Sequence, residues 1–453
     1  MNIDQAKNLT FKLDEQKLNR LHWRMVITAG MGFFTDAYDL FVIGVVTALL
    51  KPLWHLTANQ IALLNGASLA SAAFGAIIFG WFADKWGRKK MYGVEVFILF
   101  IGALLSAFST SFTWLLISRI LVGIGIGGDY PTSAVVASEY ANRKNRGFLV
   151  LLVFAMQAVG LIVGPLFASL LMICHLPHPY IWRILLALGA LPAASVFYLR
   201  RKIAETPRFL VTKHPLPLEV SRIVNDLAGH TNKIKVTAIP TEKLLSSKWL
   251  KCLLGTAGAW FLLDIALYGN GVSSVLIMNT ISPHASLLKH TLLSALIFLC
   301  FAVPGYFFAA TYVDKIGRKS LQIMGFGIMA FCYLLIASIP TIRQIFFLFI
   351  GLFGISFFFI NFGPNTTTFL IPSEIYPTRI RARAHGLSAA IGKAGAFIGV
   401  FFLPLILKNE GLSFTMIFVA IASLLGILAS FLVPEMKGIS LEAQGFKNDA
   451  PDQ

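Results

Sequence analysis

The chain is poor in charge. Only 13% of its 453 residues are Asp, Glu, Lys or Arg, while 57% are hydrophobic. Acids are scarcest, 21 against 38 Lys and Arg. A soluble protein is typically about a quarter charged, so a soluble globular class is excluded. The four cysteines, Cys174, Cys252, Cys300 and Cys332, lie in or beside apolar stretches. They have neither metal-ligand spacing nor the density of a disulfide framework. Of the few histidines, His22, His55, His175 and His178 fall at the ends of apolar runs or in loops, with no ligand spacing. No nucleophile–base pair stands out, so an enzyme is not expected and no cofactor or metal is called for. Residues 1–20 are polar and the first apolar run is too long for a signal-peptide core, so no cleaved leader is expected.

What the chain has is apolar runs, and its mean hydropathy is +0.74. Twelve can be placed, near 24–50, 61–83, 91–110, 112–138, 148–175, 181–200, 250–279, 289–312, 320–340, 342–371, 385–408 and 412–433. Each reaches the ~20 residues that cross a bilayer as helix. The expected fold is an all-α membrane protein with twelve transmembrane helices in two six-helix bundles, 24–200 and 249–434. Residues 1–23 and 435–453 are then tails and 201–248 a linker, in which PLPLEVSRIVNDLAG (215–229) reads as a short amphipathic helix.

The net charge of +17 would suit nucleic acid, but its placement points elsewhere. Lys and Arg crowd the tails, the linker and the loops at 84–90, 142–146, 315–319 and 378–383. The opposite face holds only Lys51, Arg183, Lys289, Arg343 and Lys408. This bias predicts that both termini are cytoplasmic. It also predicts anionic lipid headgroups as the partner of the basic face, in a cell membrane, plasma or inner.

One loop is repeated. GWFADKWGRKK (80–90) follows the second run and ATYVDKIGRKS (310–320) the eighth, with Asp84 and Asp314 230 residues apart. Parallel repeats of six helices leave this trace. Gly80 permits close helix approach, Asp84 can take a helix N-terminus or an arginine, and Arg88 supplies a charged fork. On these residues the chain resembles the major facilitator superfamily, in which such a loop would be a cytoplasmic latch. Arg119 followed by glycines, Glu139 with Arg146–Gly147, ETPRF (205–209), PSEIYPTRIRARAHG (372–386) and PEMKGISLE (434–442) resemble its sugar-porter-like branch. The gating residues this implies are Asp84, Arg88, Glu139, Arg146, Asp314, Arg318, Glu374 and Arg381. Singly, exposed pairs of this kind would be worth under ~1 kcal/mol.

A narrower resemblance rests on GMGFFTDAYDLF (30–41), GGDYPTSAVVASEYANRKNRG (127–147), Trp260, Asp264 and Tyr268 in W-x3-D-x3-Y, FGPNTTTF (362–369) and GKAGA (392–396). Together they look like the phosphate:proton symporter family. The resemblance implies uptake of inorganic phosphate with protons, by a protein that functions as a monomer. Its phosphate-binding positions fall on Tyr130, Gln157, Trp260, Asp264, Tyr268 and Asn365, with Lys393 as the intramembrane lysine. Its proton-linked carboxylates fall on Asp129 and on Asp36 and Asp39. Ala204 before ETPRF and Ser373 before Glu374 depart from the related pattern, which bears on gating.

The residues read alone agree in geometry. Asp36 lies about 12 residues into its run, or ~18 Å at ~1.5 Å per residue, near the middle of the bilayer core. Trp260, Asp264 and Tyr268 recur every fourth residue and share a helix face. A carboxylate inside an apolar span is costly and marks a functional site by default. Arg119 is about 15 Å along the helix from Asp129, too far to pair with it. Asp129 could instead pair with Lys393, Glu95, the lone carboxylate of the third run, could lie on a proton path or be structurally paired, and Asn365 beside Pro364 could serve only to satisfy freed backbone. Tyr, Trp, Gln and Asn donors suit phosphate oxygens but also sugar hydroxyls. A proton-coupled sugar or organic-acid symporter, arsenate as cargo, or a receptor that binds without transport therefore stay open. An ionised carboxylate ~4 Å from the anion costs ~4 kcal/mol at an effective dielectric of ~20, so proton and oxyanion should assist each other's binding.

Overall fold

The computed structural model describes residues 12–213, 244 and 246–441. Twelve helices in it are long and apolar enough to cross a membrane. They are α1 (Arg20–Trp54), α2 (Ala58–Trp86), α3 (Arg88–Ala107), α4 (Phe112–Tyr140), α5 (Arg146–Ile173), α6 (His178–Arg200), α7 (Ser247–Val272), α8 (Leu287–Ile316), α9 (Arg318–Ser338), α10 (Phe346–Ile375), α11 (Arg381–Asn409) and α12 (Gly411–Ser430). No strand occurs among the described residues. The expected helix at 215–229 lies outside them.

Local chemistry sets the ends. Asn19 caps α1, Thr57 and Gln60 form a capping box at α2, and Ser111 and Ser286 cap α4 and α8. His55 and His175 close α1 and α5 in the left-handed conformation, which accounts for two histidines at run ends. Two runs end differently from the sequence reading. The seventh stops at Val272 and resumes as a short helix, Ser274–Ile281. The tenth starts at Phe346, because Pro340–Gln344 forms its own turn. Apolar pattern alone does not see such breaks, since the residues on both sides are equally lipophilic.

The first six helices pack as α1 on α5 and α2 on α4; in the second six, α7 packs on α11. The two sets meet through α2 on α11 and α5 on α8. Gly80 and Gly386 let α2 and α11 touch, since a Cβ on Gly80 would lie 2.7 Å from the Ala382 carbonyl oxygen. Large apolar side chains such as Phe74, Phe108, Leu191 and Phe347 stand exposed on the outside. In water such a surface would aggregate; on a multi-pass membrane protein it is the lipid-facing side.

Candidate functional site

Two helix irregularities shape the centre. In α8, Phe298–Ala302 forms a π-turn just before Pro304, and Tyr306 follows within the next turn. In α10, Gly363 breaks the helix ahead of Pro364, which has no N–H to donate. In the turn that follows, threonine hydroxyls fold back on the backbone, Thr366 and Thr367 donating to Gly363 O at 3.0 and 2.9 Å and Thr368 to Pro364 O at 2.8 Å.

The seven residues singled out for substrate meet there, all buried. Lys393 on α11 donates to Asp264 Oδ2 at 3.1 Å and to the Tyr268 hydroxyl at 2.9 Å, both on α7. Its Nζ also lies over the Tyr130 ring, 4.3 Å from the centroid. Tyr130 and Tyr268 share a hydrogen bond of 3.0 Å across the interface between the two sets of helices. Gln157 on α5 donates to the Tyr130 hydroxyl at 3.1 Å and accepts from Tyr306 at 3.0 Å. Asn365 donates to the Tyr306 hydroxyl and to Asn361 Oδ1, each at 2.7 Å. Trp260 packs between Tyr130, Phe369 and His385, at 5.8, 6.4 and 5.5 Å. The sequence reading missed Tyr306 and Asn361; nothing but their helical positions relative to Pro304 and Asn365 marks them.

The acids expected to carry protons are distributed differently. Asp39 meets Arg119, which lies 3.7 Å from its carboxylate and donates to its backbone carbonyl at 2.9 Å. Asp129 does not pair with Lys393. Its partner is Arg200, the last residue of α6, whose Nη2 reaches both carboxylate oxygens at 2.7 and 2.8 Å. The same guanidinium donates to Glu95 at 2.9 Å and lies over the Tyr92 ring at 4.1 Å, so Glu95 is structurally paired. Ser133 binds the Asp129 carboxylate. Gly32 on α1 makes room, for a Cβ there would collide with Arg200 and Asp129. Asp36 lines the small space beside Asp129, and both its oxygens lack a hydrogen-bond partner among the described residues. Arg200 hid in the sequence inside the basic run Arg200–Lys202, which reads as a cytoplasmic flank.

At the end of the helices that carries the repeated loops, the eight gating residues form two clusters, buried except for the partly exposed Asp314. Arg88 and Arg381 both donate to Glu139 Oε1, at 3.0 and 3.1 Å. Arg146 and Arg318 both donate to Glu374, at 2.7 and 2.8 Å. Asp84 accepts from the Ala382 and Arg383 N–H groups at the start of α11, at 3.3 and 2.9 Å. Asp314 does the same for Gly147 and Phe148 at the start of α5, at 3.2 and 2.8 Å. Glu139, Glu374 and their four arginines are 0–1% exposed, so the surface-pair figure does not apply; removing one partner of a buried pair costs about 3–5 kcal/mol.

The repeat extends further than the loop. Gly87 and Gly317 share φ of 103° and 109°, open to glycine. Glu205 accepts from the Arg88 and Lys89 N–H groups at 3.1 and 3.2 Å, and Glu435 from those of Arg318 and Lys319, each at 3.0 Å. Burial holds the Glu205 carboxyl above its ordinary value despite these donors. On the opposite side Phe41 lies against Tyr268, 5.5 Å between centroids, and Gly44 sits close to the Val272 carbonyl. The centre is thus closed at both ends.

A family model described as "Sugar (and other) transporter" matches residues 25–445. "Probable inorganic phosphate transporter 1-6" from Arabidopsis thaliana is 38% identical, over 95% of this chain and 94% of its own length. "Low affinity inorganic phosphate transporter 1" from Petunia hybrida is 35% identical, over 97% and 96%. The chain belongs to the phosphate:proton symporter family of the major facilitator superfamily. A solved structure of the proton:xylose symporter XylE bound to 6-bromo-6-deoxy-D-glucose superposes with a TM-score of 0.76 at 20% identity, covering 93% of this chain and 98% of that one. At that identity the likeness concerns the fold, and it is the twelve-helix facilitator fold. These family members are named as transporters, and the chain is a transporter-family protein, not an enzyme.

Proposed function

We propose that the protein is a secondary transporter that imports inorganic phosphate with protons by alternating access. The observation that carries this reading is the convergence of uncharged donors from five helices on one buried Lys393–Asp264 pair. A tetrahedral oxyanion needs donors on several sides and one compensating cation. Tyr130, Gln157, Trp260, Tyr268 and Asn365 supply the first, with Tyr306 joining them, and Lys393 the second. Asp264 accepts from a phosphate P–OH or donates when protonated. Once Asp264 is protonated, Lys393 is a cation free to take an anion, a charge that a neutral sugar does not answer, which favours the anion. The relatives' names support the same cargo.

Protons enter through Asp36, Asp39 and Asp129. Phosphate beside the acids favours their neutral form, and neutral acids favour phosphate, by the same factor. The two helical bundles, 24–200 and 249–434, rock about the central site while the Glu139 and Glu374 clusters close the cytoplasmic end. The protein works as a monomer in a cell membrane, plasma or inner, with both termini cytoplasmic and its basic loops against anionic lipid. The test is counterflow of labelled phosphate in proteoliposomes, with arsenate, xylose and glucose as competitors. The reading expects inhibition by arsenate and none by the sugars; sugar counterflow without phosphate counterflow would replace it.

A further inference from the structure

Arg200 joins the acid cluster to the latch at the loop-bearing end. Asp129 and Glu139 stand on the same helix, α4, ten residues and ~15 Å apart. Alongside runs a second rail, residues 200–206, which ends α6 and is no longer helical from Ile203 to Thr206. The rails are tied at both ends. Arg200 binds Asp129 at one, and the Thr206 hydroxyl donates to Glu139 Oε2 at the other. Between them the Tyr140 hydroxyl donates to the Ala204 and Glu205 carbonyls at 3.0 and 3.3 Å. Beyond Thr206, Arg208 donates to the Glu139 carbonyl at 3.1 Å, and Glu205 holds the N–H groups of Arg88 and Lys89. Six residues extended span at most about 20 Å, and the turn at Arg201 and Lys202, where the Ile203 N–H donates to the Arg200 carbonyl at 3.1 Å, takes up part of that reach.

Glu139 is the acid that grips Arg381 of the opposite bundle. Whatever shifts Thr206 therefore loosens one of the two latches between the bundles. The charged and titratable groups around Arg200 are Asp36 from α1, Tyr92 and Glu95 from α3 and Asp129 from α4, with Lys393 of α11 beyond Asp36. Two carboxyls, Glu95 and Asp129, thus share one guanidinium, with Asp36 nearby and not bonded to it. When Asp129 takes a proton, its charge-assisted bonds to Arg200 weaken, and Glu95 remains as the carboxyl partner on the other guanidinium nitrogen.

We propose that Arg200 is the positioning residue that transmits protonation of Asp129 to the Glu139 latch, by releasing the 200–206 segment that Thr206 pins. The transport role rests on the reading of the protein as a proton–phosphate symporter; the mechanical link between the two ends does not.

The experiment is hydrogen exchange of the purified full chain, read at residues 203–209, for wild type, Asp129→Asn, Arg200→Gln, Arg200→Lys and the double variant Asp129→Asn/Arg200→Gln. The neutral amide of Asp129→Asn mimics the protonated acid. Asp129→Asn and Arg200→Gln are each expected to speed exchange at 203–209 by about tenfold, the scale of one hydrogen bond to a charged group, without a matching change in the helix Ser274–Ile281 at the opposite end. The double variant is expected to do no more than either single, and Arg200→Lys to stay nearer wild type. Unchanged exchange at 203–209, additive effects, or faster exchange throughout the chain would overturn the link. In proteoliposomes, Arg200→Gln is expected to lower protons moved per phosphate by about fivefold, with Arg200→Lys restoring part of it. A wild-type ratio in Arg200→Gln would overturn its part in coupling. If wild type moves no phosphate at all, the functional reading fails, and the exchange data alone decide the link.

Discussion

Lys393 and Asp264 are 129 residues apart and face each other across the α7–α11 contact at 3.1 Å, both 1% exposed. Asp264 thereby neutralises the one cation at the centre of the donor cage. Asp264→Asn leaves that cation without a counter-charge until phosphate arrives. Phosphate should then bind and not leave readily, so turnover is expected to fall at least tenfold and its pH dependence to flatten. Uptake rates between pH 5 and 8 check this, and an unchanged rate and pH response would remove Asp264 from the mechanism.

Tyr306 bridges Gln157 and Asn365 through one hydroxyl. Tyr306→Phe removes two neutral hydrogen bonds, each worth about 1 kcal/mol, and keeps the ring. Half-saturation by phosphate is expected to rise about tenfold with the proton-to-phosphate ratio intact. Titration of uptake against phosphate concentration is the measurement, and an unshifted half-saturation would place Tyr306 outside the site.

Asp129→Asn keeps the shape of the site and removes the charge that Arg200 holds. Phosphate exchange should outlast net proton movement in this variant. A pH dye trapped inside the liposomes is expected to report little acidification on phosphate entry. Intact acidification would remove Asp129 as a proton carrier.

Much of this was legible in the sequence because membrane helices have one strong signature, a long apolar run, and the repeated D-K-x-G-R-K loop fixes the register of one half against the other. The acids and donors at mid-span are visible because each is out of place there. The pairings were not. Asp129 and Arg200 lie on different helices, and no spacing rule connects α4 to the end of α6. Arg200 also looked like part of a solvated basic run. Tyr306 carried no mark in the sequence, since a tyrosine just beyond a π-turn and a proline in an apolar run is not out of place there. The buried latch was readable as a set of residues but not as pairs, because each arginine had several acids as candidate partners and only packing selects among them.

Glu205 adds a pH dependence at the latch. Its carboxyl is held above its ordinary value by burial in the latched arrangement. The latched form therefore binds a proton more readily than a form in which Glu205 is free. Its contribution to latching is complete below the ordinary value near 4.5 and is lost as pH climbs through the raised one. Glu205→Gln is expected to remove that dependence. Hydrogen exchange at residues 84–90 across pH 4 to 7 follows it, and an equal pH slope in the variant would contradict the assignment.

The central claim is that phosphate and protons move as one cargo through a site built around Lys393 and Asp264. Purified protein in liposomes, with equal labelled phosphate on both sides and only a pH gradient imposed, puts it to the test. The account predicts that phosphate accumulates on the alkaline side above its starting concentration and that a protonophore abolishes the accumulation. Phosphate that stays level on both sides, in protein that still exchanges it, would contradict the account.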